Sequence, residues 1–451
     1  MNGSLKILLL IVYTAVLPFS GYGQSWIPVG SPDFSADQAT FTSLAINDSG
    51  VAYIAYADYS HSVKATVMKY NGSSWVTVGN AGFSDTSAAC TSIAIAADGT
   101  PYVAFQDNTL GPATVMKYNG TSWVYVGNPG FSAAGVWYTS IAIDTGGSPY
   151  VVYEDFANSF KATVMKYDGS NWVPLGSPGF SAGESGYTNI AIDNNGIPYV
   201  AYSDWANGKR TTVMRYDGTN WVTLGSAGFS SGQAQNISLA LDTGGTPYVS
   251  YTDWGNGQKA TVMKYNGISW VPVGSAGISA DSTFSTSITI DRSGIPYVAY
   301  NSYDGATVQQ YRGGSWGIVG NAGFSHGFAG YTFIAAGNND TPYVAYADYG
   351  NSGKASVMKY NGSTGVKNNF IVDNGLSIFP NPAHNSFSLH ISSPQNEEAA
   401  IIITNMLGEK VKEFVSFTNT DIQIQLNEPP GVYFINAVTK GGCVTSKVLL
   451  E

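Results

Sequence analysis

Of the 451 residues, two are cysteine, Cys90 and Cys443, and 11% are charged. The cysteines fall in compositionally distinct parts of the chain, so neither a disulfide framework nor a CxxC metal pair is available, and stability must come from packing. Basic residues are outnumbered, with 20 Lys and Arg against 30 Asp and Glu and a formal net charge of −10. That balance leaves no electropositive footprint for nucleic acid or for an anionic membrane. Glutamate is nearly missing from residues 24–366, where it occurs at Glu154 and Glu184 alone. Long apolar runs are scarce as well. The one near the start, Ile7 to Leu17, is eleven residues, well short of the roughly 20 needed to span a bilayer. It follows Lys6 and precedes the small residues Gly21 and Gly23, so residues 1–23 read as a secretory signal peptide cleaved near Gly23. An exported chain with no transmembrane span is expected.

What the chain has in abundance is repetition. Trp26, Trp75, Trp123, Trp172, Trp221, Trp270 and Trp316 recur at spacings of 49, 48, 49, 49, 49 and 46. A fixed period of this size marks a repeat architecture. Within each copy four short segments alternate apolar and polar residues, as in TSIAI at Thr91, PYVAF at Pro101, ATVMKYNG at Ala113 and WVYVG at Trp123. Their length and period of two predict strands, and the Gly, Asn, Asp or Pro between them predict tight turns. Four antiparallel strands per copy, repeated radially, describe a blade of a β-propeller, and seven blades are expected over residues 24–366. The copy in phase at Gly365 has lost its Trp. The orphan segment Trp26 to Gly30 therefore fits as the fourth strand of blade 7, which would remove a free sheet edge. The Trp series, the Met of TVMKY and Phe34, Phe83, Phe131, Phe180, Phe229 and Phe324, with Ile278 as the exception, are expected to pack between blades.

After the linker 367–374 the repeat stops, and over 375–451 Glu and Ile rise while Trp disappears. This region carries SIFPNPAHNSFSLHI from Ser377, ITNMLGEKV from Ile403, GVYFINAV from Gly431 and SKVLL from Ser446. A Pro-Asn-Pro opening, a central Gly-Glu turn, a Gly-hydrophobic-Tyr strand and a Lys close to the end occur in that order. The segment thereby resembles the C-terminal sorting domain of the type IX secretion system. The resemblance implies a small β-sandwich recognised at the outer membrane by the type IX secretion machinery, with the mature protein released or surface-attached, and a Bacteroidota-type host. The blades are similar to β-propeller repeats, secreted bacterial ones in particular, through Ile-Asp-x-x-Gly-x-Pro-Tyr-Val. They lack the WD dipeptide, the kelch double glycine, the sialidase Asp-box and the Asp-x-Asp-x-Asp calcium loop, so no activity carries over from those families.

A candidate binding group recurs between the second and third strands: an acid after PYVAY, an aromatic beside it, and a cation entering ATV. The copies are Asp58, Tyr59 and Lys64; Asp155, Phe156 and Lys161; Asp204, Trp205 and Arg210; Asp253, Trp254 and Lys259; Asp348, Tyr349 and Lys354. An exposed aromatic plane between a carboxylate and a cation suits a sugar ring, which would stack on the aromatic and exchange hydrogen bonds with the charged groups. The alternative is an ion pair that pins the hairpin. Catalysis needs unlike groups at one place, and the exceptions to repetition are few. Glu154 and Glu184, on adjoining blades, could serve glycoside hydrolysis. His61 and His326 could approach each other across the closure between blades 1 and 7. Asp144, Asp193, Asp242 and Asp291 most simply bond their own turns. These readings lead to an expected monomeric, non-enzymatic binding protein at or beyond the cell surface, with glycan or another surface polymer as partner and no cofactor. A secreted glycoside hydrolase or lyase and a protein-docking scaffold are the alternatives.

Overall fold

The computed structural model describes residues 25–362 and 376–451, apart from 109, 338, 394, 440 and 441. The expected signal peptide, Gly365 and the expected linker 367–374 lie outside the described residues. The chain divides into two compact units, Met1–Gly362 and Ser363–Glu451.

The first unit consists of seven four-stranded antiparallel sheets. Blade 1 is typical: β2 (Ala39–Ile46), β3 (Ala52–Asp58), β4 (Lys64–Tyr70) and β5 (Trp75–Thr77) pair in sequence order, with β2 innermost. Blades 2 to 6 begin at Ala88, Val136, Ser185, Ala234 and Ser285 and repeat this order. Every residue of β3 is buried, because a middle strand is covered on both faces by neighbouring blades. That accounts for its unbroken run of Tyr, Ile and Ala where a half-exposed strand would alternate.

Blade 7 takes three strands from the end of the repeat, Ala329–Ala336, Pro342–Asp348 and Lys354–Asn361. Its fourth is β1 (Ser25–Pro28), paired antiparallel with Trp26 opposite Tyr360. The ring is therefore closed by the first strand of the propeller lying on the last blade.

The repeated tryptophans bolt the blades together. Each indole Nε1 donates to a backbone carbonyl next to the outer strand of the preceding blade, at 2.6 to 2.8 Å, and all seven do so. Trp26 makes this bond to Val319 and Trp75 makes it to Val29, so the closing joint is built like the others. Six of the indoles stack on the Phe of an adjoining turn at 4.1 to 4.5 Å between centroids. At the seventh, Ile278 and Trp316 share one apolar cluster. The glycine ending WVxVG lies against the next blade's indole. At Gly79, φ is +69° and a Cβ would sit 3.1 Å from Trp123 and 3.0 Å from Tyr118.

The second unit has a three-stranded sheet, Leu376–Phe379, Ser386–Ile391 and Asp421–Gln425, and a four-stranded one. The latter orders Lys410–Phe417, Glu398–Thr404, Gly431–Thr439 and Gly442–Leu450. Phe387, Leu389, Ile401, Ile403, Ile424, Ile435 and Val448 form the core between them. The Pro-Asn-Pro segment and the terminal strand are joined through Asn381, whose amide donates to the Lys447 carbonyl and accepts from the Leu449 N–H, both at 2.9 Å. Two separated sequence signatures thus meet at one clasp.

Candidate functional site

In five blades the chain leaves the second strand through one turn of 3-10 helix, and the recurring aspartate sits at its N-terminus. Asp58, Asp155, Asp204, Asp253 and Asp348 each accept from the N–H two residues on. Aspartate suits this position because its carboxylate satisfies an amide that the short turn leaves unpaired. The second oxygen of Asp155 accepts from Asn158 Nδ2 and Thr163 Oγ1, and that of Asp204 from Asn207 Nδ2 and Thr212 Oγ1. All five aspartates are at most 2% exposed. Each of these carboxylates is thus engaged by at least one of the protein's own donors, although the sequence reading offers them to sugar hydroxyls. Lys64, Lys161, Arg210, Lys259 and Lys354 stand directly across the ladder from them. Among the described residues no ion pair links a cation to the aspartate of its own trio, so the hairpin-pinning alternative is also absent.

The aromatics are a different matter. Tyr59, Trp205, Trp254 and Tyr349 are 43 to 48% exposed, and Phe156 is half-buried against Trp137. In blade 4 the cation beside the ring is Lys209, with Nζ 4.0 Å from the Trp205 centroid, one residue before the expected Arg210.

The same end of each blade faces the central channel, which the sequence reading did not identify as a candidate site. The innermost strands run side by side around it and are tied by side chains. Thr91 donates to the Phe41 carbonyl, Thr188 to Tyr138 and Thr286 to Asn236. In six blades the innermost strand carries a β-bulge, and one bulge residue adopts φ of +49 to +53°: Phe41, Cys90, Tyr138, Tyr187, Asn236 and Tyr331. Blade 6 keeps a regular register instead. A left-handed backbone at bulky residues is costly, and here it presents unlike side chains to one cavity of about 380 Å³ lined by all seven blades. Phe41 packs on Tyr331 at 4.9 Å and Tyr138 on Tyr187 at 4.8 Å. Burial raises the pKa of the Cys90 thiol and the Tyr138 and Tyr187 phenols.

A second cavity, about 270 Å³, opens where blades 3, 4 and 5 meet, and it contains both propeller glutamates. Glu154 lies one residue before the capping Asp155, on a strand position held elsewhere by Ala57, Gln106, Ser203, Thr252, Asn301 and Ala347. It is 7% exposed. Desolvation, reinforced by the Glu184 charge, pushes its pKa up to about 8, so the carboxyl is largely protonated at neutral pH. Trp137, Tyr138, Tyr187, Trp205, Lys209 and Gln235 are among the other lining residues. The sequence reading pairs the two glutamates because they depart from the repeat; Trp137, which departs from its counterparts in the same way, is the member of the pocket it misses.

Each histidine faces a different aspartate. His61 Nδ1 lies 2.9 Å from Asp58 in its own turn, and His326 Nδ1 lies 3.4 Å from Asp348. The first-turn aspartates bond their turns: Asp144, Asp193, Asp242 and Asp291 each accept from the N–H four residues on at 2.8 Å.

Residues 377–451 match the family model described as Secretion system C-terminal sorting domain. The second unit is thus a sorting domain of the type IX kind, and its presence implies secretion or display at the cell surface. No curated protein matches the chain. Among solved structures, similar folds include an ulvan lyase of polysaccharide lyase family PL25 in complex with its saccharide. That match has 12% identity and a TM-score of 0.45, covering 74% of this chain and 95% of the other. An α-L-arabinanase from Penicillium chrysogenum matches at 12% identity and TM-score 0.43, over 74% and 97% of the two chains. The Aleuria aurantia lectin matches at 15% and 0.41, over 64% and 96%.

Proposed function

We propose that the secreted propeller binds a glycan on its loop face, with the cavity between blades 3, 4 and 5 as the anchoring site. The observation that carries this reading is the combination inside that cavity: two tryptophans able to stack on a sugar ring, Lys209, two glutamates and Gln235, gathered at one departure from the repeat. Aromatic faces suit the C–H face of a pyranose, and the polar groups suit its hydroxyls. Tyr59, Trp254 and Tyr349 are further exposed platforms, so a polymer that crosses the face meets several weak contacts and gains avidity. Protonated Glu154 would donate to a sugar oxygen, whereas the buried capping aspartates take no part.

One observation favours a second reading, a glycan-cleaving enzyme. A carboxylic acid kept protonated near pH 7 beside a second carboxylate is the pairing that glycoside cleavage uses for its general acid and its nucleophile or base. A polysaccharide panel separates the two. Binding lost in Trp205→Ala and Trp137→Ala without release of new reducing ends supports a binding module. Release of ends that disappears in both Glu154→Gln and Glu184→Gln supports the enzyme. Binding unchanged in all four variants would remove the cavity from either role.

A further inference from the structure

We propose that Asp33, His326 and Asp348 form a divalent metal site that clasps the start of the propeller to its last blade. Ligand atoms of the three residues lie within 4.8 Å of one another. They come from three separate segments: Asp33 from the turn after the closing strand β1, His326 from the turn entering blade 7, and Asp348 from the end of that blade's second strand.

The other blades serve as internal controls. In blades 3 and 4 the second oxygen of the capping aspartate accepts from an Asn three residues on and a Thr eight residues on. In blade 1, His61 and Thr66 fill those places. Blade 7 keeps both donors, as Asn351 and Ser356, but neither reaches Asp348. Asn351 Nδ2 donates to Asp33 Oδ2 at 2.8 Å, and Ser356 Oγ donates to Asp33 Oδ1 at 2.9 Å. Asp348 is 0% exposed, and its Oδ2 is left with no hydrogen-bond partner, 3.4 Å from His326 Nδ1.

The cause is one substitution. Six copies place glycine before the Phe or Ile of the turn, at Gly82, Gly130, Gly179, Gly228, Gly277 and Gly323, with φ between +58 and +66°. The seventh place holds Asp33 at φ +53°, a conformation aspartate tolerates better than most residues. A second, half-buried carboxylate thus enters beside the buried Asp348 and draws off its two side-chain donors. Two carboxylates this close, one of them with a buried oxygen that has no hydrogen-bond partner, call for a cation. Two oxygens and an imidazole nitrogen suit a borderline ion such as Zn²⁺ better than Ca²⁺ or Mg²⁺, which prefer all-oxygen sets.

The test is Zn²⁺ binding to the full metal-free chain by calorimetry, paired with thermal unfolding with and without the ion. One equivalent should bind, and the propeller should melt higher with Zn²⁺ present. Asp33→Gly restores the residue of the other six copies and frees Asn351 and Ser356 to return to Asp348, so it should fold. It should also weaken binding at least about 100-fold, as should His326→Ala. His61→Ala should bind like the parent, because its partner Asp58 is satisfied. Absence of Zn²⁺ binding in the parent, equal binding in Asp33→Gly, or loss in His61→Ala would each overturn the assignment.

Discussion

Closure of the ring can be tested at Trp26. Its indole is 7% exposed, stacks on Phe324 at 4.5 Å and donates to the Val319 carbonyl at 2.8 Å, 293 residues away. Truncation to alanine empties that space and leaves the carbonyl unpaired, and large aromatic truncations in cores cost about 3 to 5 kcal/mol. With an unfolding entropy of about 2.1 cal/mol/K per residue, a propeller of about 340 residues loses about 0.7 kcal/mol per degree. Trp26→Ala should thus lower the melting temperature by about 6 °C. Trp26→Phe keeps most of the packing and loses the N–H, so it should cost about 1 to 2 kcal/mol, or about 2 °C. Trp123→Ala removes the matching bond to Val78 and the stack on Phe83 inside the ring, and it supplies the reference. Equal shifts at Trp26 and Trp123, read by calorimetry, are the expected outcome. A Trp26→Ala protein that melts with the parent while Trp123→Ala falls by several degrees would refute closure by the first strand.

Three further outcomes follow from the same geometry. Because the Glu154 pKa is raised from 4.5 to about 8, the folded state holds this proton more tightly than the unfolded state. Its contribution to stability is complete below about pH 4.5 and is lost as pH rises through 8; denaturant titrations at pH 5, 7 and 9 should show the decline, and Glu154→Gln should flatten it. Asp204→Ala removes a cap and strands Thr212 and Asn207, so a loss of about 1 to 2 kcal/mol is expected, whereas Trp205→Ala on the same loop should change stability by less than about 0.5 kcal/mol; the measured pair separates the structural residue from the presented one. Gly79→Ala meets both a left-handed backbone and the Trp123 ring, so it should destabilise by more than the ordinary Gly→Ala change at a compatible site, as urea midpoints would register.

The repeat period, the four strands per copy and the missing final Trp were all readable from the chain, because each blade is a local unit whose alternation and turns are set by neighbouring residues. The assignment of the Trp26 segment to blade 7 followed from counting, since a lost Trp segment at one end and a spare one at the other leave one economical arrangement; its register, Trp26 opposite Tyr360, came from the structure. The roles of individual polar side chains were not readable this way. Asp204 and Trp205 are adjacent and recur together, yet the turn buries one as a cap and exposes the other. Sequence adjacency carries no information on which way a carboxylate points. The cavity of Glu154 and Glu184 joins positions 30 residues apart across a blade junction, and the cluster of Asp33, His326 and Asp348 spans more than 300. Local pattern determined what each blade is; closure of the ring decided which departures from the pattern stand next to one another, because side chains from different copies meet only after the sheets are packed.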